Sequence, residues 1–202
     1  MPRSPVSIPR SSCEAGCRQT LGRAIAYAEA AECLFSAGKK QEAYALSFLA
    51  MDECGKFIII AKELGSSKSD PITVSGFSDH NAKYGEVLDY CIRAVKSDAA
   101  KVMSELSRIP ALDLSNIAEL TYKAVDDGTI LAEARTLDTA PLKYRNEAFY
   151  TNFDGSWKAP RYPGDEVCAA QIKLVKGAAK SYLYYIDTQG LSWLASHPEY
   201  FG

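Results

Sequence analysis

An all-α bundle of about five antiparallel helices is the fold class this chain predicts, on three observations. Apolar residues recur at three- and four-residue spacing through long segments. The connections between those segments are mostly short and carry Gly or Pro. Only one stretch, Lys143 to Tyr162, departs from helical periodicity, and it is dense in aromatic residues. Length and composition agree with this reading: 202 residues, 47% apolar and 24% charged, suit one domain that can bury its own core.

The elements follow in order. Residues 1–12, with Pro2, Pro5 and Pro9 and no apolar h-region, read as a disordered lead-in rather than a secretory signal, and residues 13–202 as the single helical domain. A first helix is expected from Glu14 to Ala37, with Leu21, Ile25, Ala28, Glu32 and Phe35 near one face and Gly38 as its stop. A second covers Gln41 to Leu64 with the stripe Ala43, Leu46, Ala50, Phe57, Ile60 and Leu64. The turn between them is so short that they must be antiparallel neighbours. After a polar loop containing Pro71, a third helix is expected from Phe77 to about Leu106, with Ser78 as its N-cap, and a fourth from Leu114 to Leu137. The aromatic stretch follows, and Asp154-Gly155 at its middle signals a tight turn, hence a small hairpin or extended excursion. A last helix starts after Pro163-Gly164 and ends near Gly190, with Cys168, Ile172, Val175, Ala179, Leu183 and Ile186 on its apolar face.

Charge and cysteine usage exclude several function classes. A net charge of −2 gives no global electrostatic case for nucleic-acid binding, although a local basic patch stays open. The longest strongly apolar run, Phe57 to Ala61, is far too short to cross a membrane. Cys33, Cys54, Cys91 and Cys168 fall in expected helices and read as small core residues of a reducing compartment, so a cytoplasmic protein is expected. Cys13 and Cys17, on what reads as an exposed stretch, have no second pair or nearby His to complete a zinc site. A carboxylate-bridged di-metal bundle needs Glu-x-x-His pairs, and Phe77 and Leu194 stand where those Glu would be. No metal and no cofactor is expected.

The informative anomaly is polar. Continuing the second helix's stripe from Ala50 lands on Glu53 and then Lys56, a carboxylate and an ammonium on a seam that should be apolar. Extrapolating the third helix's stripe backwards from Tyr84 lands on His80 and Lys83. A helical hairpin can bring the two clusters face to face. His80, Lys83, Glu53 and Lys56 are therefore the candidate functional centre, with Lys56 opposite Lys83 and Glu53 holding the ammonium groups or orienting the His80 ring. The bland alternative is a buried ion pair that fixes bundle register.

The run Ala43-Tyr44-Ala45-Leu46-Ser47-Phe48-Leu49-Ala50-Met51-Asp52-Glu53-Cys54-Gly55-Lys56 resembles the AbiV-type abortive infection proteins of the HEPN helical-bundle group. The resemblance rests on a two-acid, small residue, Gly-Lys signature, on His80 with Lys83 three residues on, and on a later segment matched by Leu142-Lys143, Tyr150, Asp154-Gly155, Trp157 and Pro160. It implies a HEPN-like bundle, a phage-defence role that limits phage multiplication, and a homodimer. The chain departs from it at Asp52, where the family more often has Glu. It also lacks the group's ribonuclease signature, an Arg separated from a His by four to six intervening residues: Thr73, Val74 and Ser75 stand at those places ahead of His80, and Gly190, Leu191 and Ser192 ahead of His197. Two mechanisms stay open, interference by binding a phage or host translation component, and RNA cleavage by a non-standard centre. The aromatic stretch reads as a flap over the bundle, and Tyr182, Tyr184 and Tyr185 as material for a dimer seam.

Overall fold

The computed structural model describes residues 5–80, 82–87, 149, 152–153, 156–158, 160 and 164–198. The fold is all-α. Its helices are α1 (Arg10–Ser36), α2 (Lys40–Ser66), α3 (helical at residue 80 and over 82–87), α4 (Asp165–Gln189) and the short α5 (Leu191–Ala195). Two small antiparallel sheets accompany them, β1 (Val6–Ile8) with β2 (Ile72–Val74), and β3 (Asn152–Phe153) with β4 (Trp157–Lys158). The helix expected over Leu114–Leu137, and the third helix beyond residue 87, lie outside the described residues.

Small side chains let α1 and α2 approach closely. Cys13, Cys17, Leu21, Ala24, Ala28 and Ala31 form one buried line along α1. Glu32, expected beside that line, is exposed, because the seam passes through Ala24 and Ala31 instead of Ile25 and Glu32. The helix stops where expected: Gly38 takes φ 78, and the Lys39 N–H returns to the Leu34 carbonyl at 2.9 Å, closing α1 before α2 begins. On α4 the expected face is buried at Cys168, Ile172, Val175, Ala179 and Ile186. Ion pairs of α1 with α4 join Arg18 to Asp187, Glu29 to Lys180 and Glu32 to Lys176, so these helices are antiparallel. Contacts from Lys40 to Asp165 and from Phe57 to Tyr182 then run α4 parallel to α2, which is covered on most of its circumference. Gly65 lets α5 close against the end of α2, since a Cβ there would meet the Ala195 backbone, with its carbonyl carbon 3.0 Å away.

Two expectations about the start of the chain need correction. Residues 6–12, read as part of a disordered lead-in, are structured: Val6, Ser7 and Ile8 pair with Val74, Thr73 and Ile72, and α1 starts at Arg10. Pro5 and Pro9 bracket the strand, where a missing N–H costs nothing, and Pro9 takes the N-cap position. Cys13 and Cys17 are buried, not exposed. Burial raises the Cys13 thiol and pushes Cys17 up to about 12, so both remain neutral core thiols. In the aromatic stretch, β3 and β4 pair Phe153 with Trp157, the hairpin that Asp154-Gly155 predicts.

Candidate functional site at the α2–α3 junction

The junction is made by a close approach of backbones. Gly55 of α2 packs against the start of α3, and a Cβ at Gly55 would fall 2.6 Å from the Lys83 Cβ. No other residue type allows this contact without moving α3. The approach brings Asp52, one turn earlier on α2, onto two groups of α3. His80 Nδ1 lies 2.6 Å from Asp52 Oδ2, and Lys83 Nζ lies 3.4 Å from Asp52 Oδ1.

Burial differs sharply across this trio. The Lys83 side chain is 3% exposed and that of Asp52 12%, while the His80 ring is 39% exposed. Burial lowers the Lys83 ammonium from its ordinary value, with Asp52 opposing and nearby Lys56 adding to the shift. A carboxylate on Nδ1 selects the tautomer that donates from Nδ1, so in the neutral ring Nε2 carries the lone pair.

Glu53 and Lys56 form a second pair at 2.7 Å on the neighbouring face of α2, and both keep some solvent access. The Lys56 ammonium lies 5.8 Å from the centre of the Phe77 ring. On α1, Arg23 donates to Tyr27 Oη at 2.5 Å with its guanidinium over the Tyr27 ring; that hydrogen bond raises the Arg23 pKa above its ordinary value, and the Glu53 charge adds to the shift. A further tie, Lys62 to Glu86 at 2.5 Å, joins α2 to α3 one turn beyond Lys83.

A buried polar chain fixes α3 from the other side. Tyr84 Oη donates to Gln171 Oε1 at 3.2 Å, Gln171 Nε2 to Ser47 Oγ at 2.6 Å, and Ser47 Oγ to the Tyr44 carbonyl at 2.7 Å. Gln171 and Ser47 are fully buried, so each bond replaces one to water that the group has lost.

The four residues singled out by sequence thus fall at one junction, with different partners from those expected. Glu53 holds one of the two ammonium groups, Lys56, within α2, and its charge reaches Lys83 only as a minor contribution; the direct contacts to Lys83 and His80 are made by Asp52. The reason is helical phase. Adjacent residues point roughly 100° apart on a helix, and the face that meets α3 carries Phe48, Asp52 and Gly55. Asp52, Ser47, Gln171 and Arg23 join the junction or its supports without having been expected there from the apolar stripes. For Asp52 the two-acid signature itself was the available signal.

Among the described residues, no group of His, Cys, Asp or Glu could hold a metal ion, and no helix is long and apolar enough to cross a membrane. A family model described as AbiV, of the HEPN type, matches residues 12–179, which includes every residue of the junction. No curated protein and no solved structure matches the chain significantly.

Proposed function

The chain belongs to the AbiV family, and on that premise we propose that it is an abortive-infection protein that limits phage multiplication by binding. In this reading it is a cytoplasmic homodimer that engages a phage component or a host translation component through the region around the α2–α3 junction. One observation supports binding over chemistry: the junction's charges are spent on one another, Asp52 on His80 and Lys83, Glu53 on Lys56. Buried groups paired in this way fix the packing of two helices and present a defined surface. The missing Arg-to-His spacing points the same way.

A second reading, RNA cleavage, is favoured by the carboxylate on His80 Nδ1 and the ring's partial exposure. A ring oriented by a carboxylate can take a proton from a ribose hydroxyl at Nε2, with Lys56, whose charge acts on the neighbouring Lys83, as the cation for phosphate oxygens. Incubating the purified protein with total RNA, with and without phage extract, separates the two. Intact RNA alongside reduced phage yield in cells is the expected result. Specific cleavage products would transfer the proposal to the second reading.

A further inference from the structure

We infer that β1 and Arg10 form a strap whose seating sets how α3 lies on α2, and so regulates the junction. The inference rests on the α2–α3 junction being the functional centre.

The segment that delivers His80 is short: α2 ends at Ser66, β2 covers Ile72–Val74, and His80 follows six residues later. Ile72 and Val74 are fully buried, and among the described residues their strand pairs with β1 alone. Arg10, directly after β1, clamps the same segment twice. Its guanidinium donates to the carbonyls of Leu64 at 3.0 Å, Ser67 at 2.8 Å and Ser69 at 3.2 Å, which belong to the end of α2 and the chain just beyond. A cation on those carbonyls also suits the negative end of the helix dipole. In return, Asp70 Oδ1 accepts the Arg10 backbone N–H at 3.1 Å, capping α1.

The strap is weaker than what it restrains. β1 has three residues, all at least partly exposed, and a short ribbon of this kind opens locally at a free energy well below that of global unfolding. Opening uncovers Ile72 and Val74 and frees the path from α2 to His80. The Asp52 contacts and the Gly55 packing then hold α3 without that support. By linkage the coupling is reciprocal: a tight junction seats the strap, and a seated strap tightens the junction. A defence protein that must act only on infection can use such an element, since displacing one strand changes the junction without unfolding the bundle.

Amide hydrogen exchange tests this, together with the ring resonances of His80. The chain has only two His, so the single variant His197→Gln assigns the spectrum. In Arg10→Ala, amides of both 72–74 and 82–87 should exchange at least about tenfold faster, the factor that one charge-assisted hydrogen bond carries. The His80 resonances should shift with them, and Asp52→Asn should in turn speed exchange in β1 and β2. Faster exchange confined to β1 and β2, with His80 and 82–87 unchanged, would overturn the inference. Should Arg10→Ala unfold the protein, Ile8→Ala removes cover from β2 while leaving the α2 carbonyls clamped, and the same comparison applies. Phage restriction separates this inference from the functional reading. A native protein that does not restrict phage sinks the defence role. A native protein that restricts, with an equally protective Arg10→Ala variant whose 82–87 amides exchange faster, sinks the strap's control of it.

Discussion

At the scale of single residues, the two acids of the Asp52-Glu53 pair do different work, and their substitutions should differ accordingly. Asp52→Asn leaves the Lys83 ammonium buried without its counter-charge, and breaking a buried pair costs about 3–5 kcal/mol. Glu53→Ala breaks a partly solvated pair three residues apart on one helix, worth about 1 kcal/mol or less. Urea titrations of both variants check this ordering, and equal losses would show that Glu53 shares the load on Lys83. The depressed Lys83 makes a second prediction. Its folded pKa lies below its ordinary value of 10.5, so between the two the unfolded chain binds more protons, and stability rises with pH. The stability of the native protein relative to Lys83→Met should therefore increase as pH climbs towards 10.5; a decrease would mean that the Asp52 charge, not burial, dominates at Lys83. The sequence placed Lys83 at the centre because it extends an apolar stripe. It did not single out Asp52, because α2 is covered on most of its circumference and so carries no single apolar seam from which to phase the acids.

At the scale of elements, glycine separates packing from helix propensity. Gly22 in α1 has nothing within 4 Å of a built Cβ, whereas Gly55 faces the backbone and side chain of Lys83. Gly22→Ala should stabilise by up to about 1 kcal/mol. Gly55→Ala gains the same propensity, but must push α3 away, and overpacking of this kind costs about 1–3 kcal/mol or more. Thermal melts of the two variants should move in opposite directions, and a stabilised Gly55→Ala protein would show that α3 can retreat without loss. The helices α1, α2 and α4 were legible because each carries its own signal: a stripe, a terminating Gly, or acids in the first turn. β1 was not. A three-residue strand between two prolines acquires its meaning from β2, more than sixty residues away, and local pattern carries no trace of that pairing. The chain from Tyr84 through Gln171 to Ser47 was hidden for the same reason, since each member is an ordinary polar residue until the fold brings the three together.

At the scale of the whole molecule, the all-α class and the antiparallel pairing of α1 with α2 followed from periodicity and one short turn. The assembly is a separate matter. Tyr184 is 65% exposed on α4, with Tyr185, Trp193 and His197 continuing a row of ring contacts from it. A homodimer should give twice the chain mass by light scattering across the micromolar range, and a monomer mass throughout would remove that part of the proposal. The central claim, that the protein defends by binding and uses the junction to hold α3 in place, is tested most directly at His80. Glutamine there keeps a polar side chain that can still hydrogen-bond to Asp52 but cannot carry a proton at neutral pH. The measurement is phage restriction by His80→Gln beside its melting temperature. Binding predicts a folded variant that keeps most of its protection, whereas removing a general base typically costs about 10²–10⁴ in rate. A folded His80→Gln protein that no longer restricts phage would contradict this account and make the junction an active site.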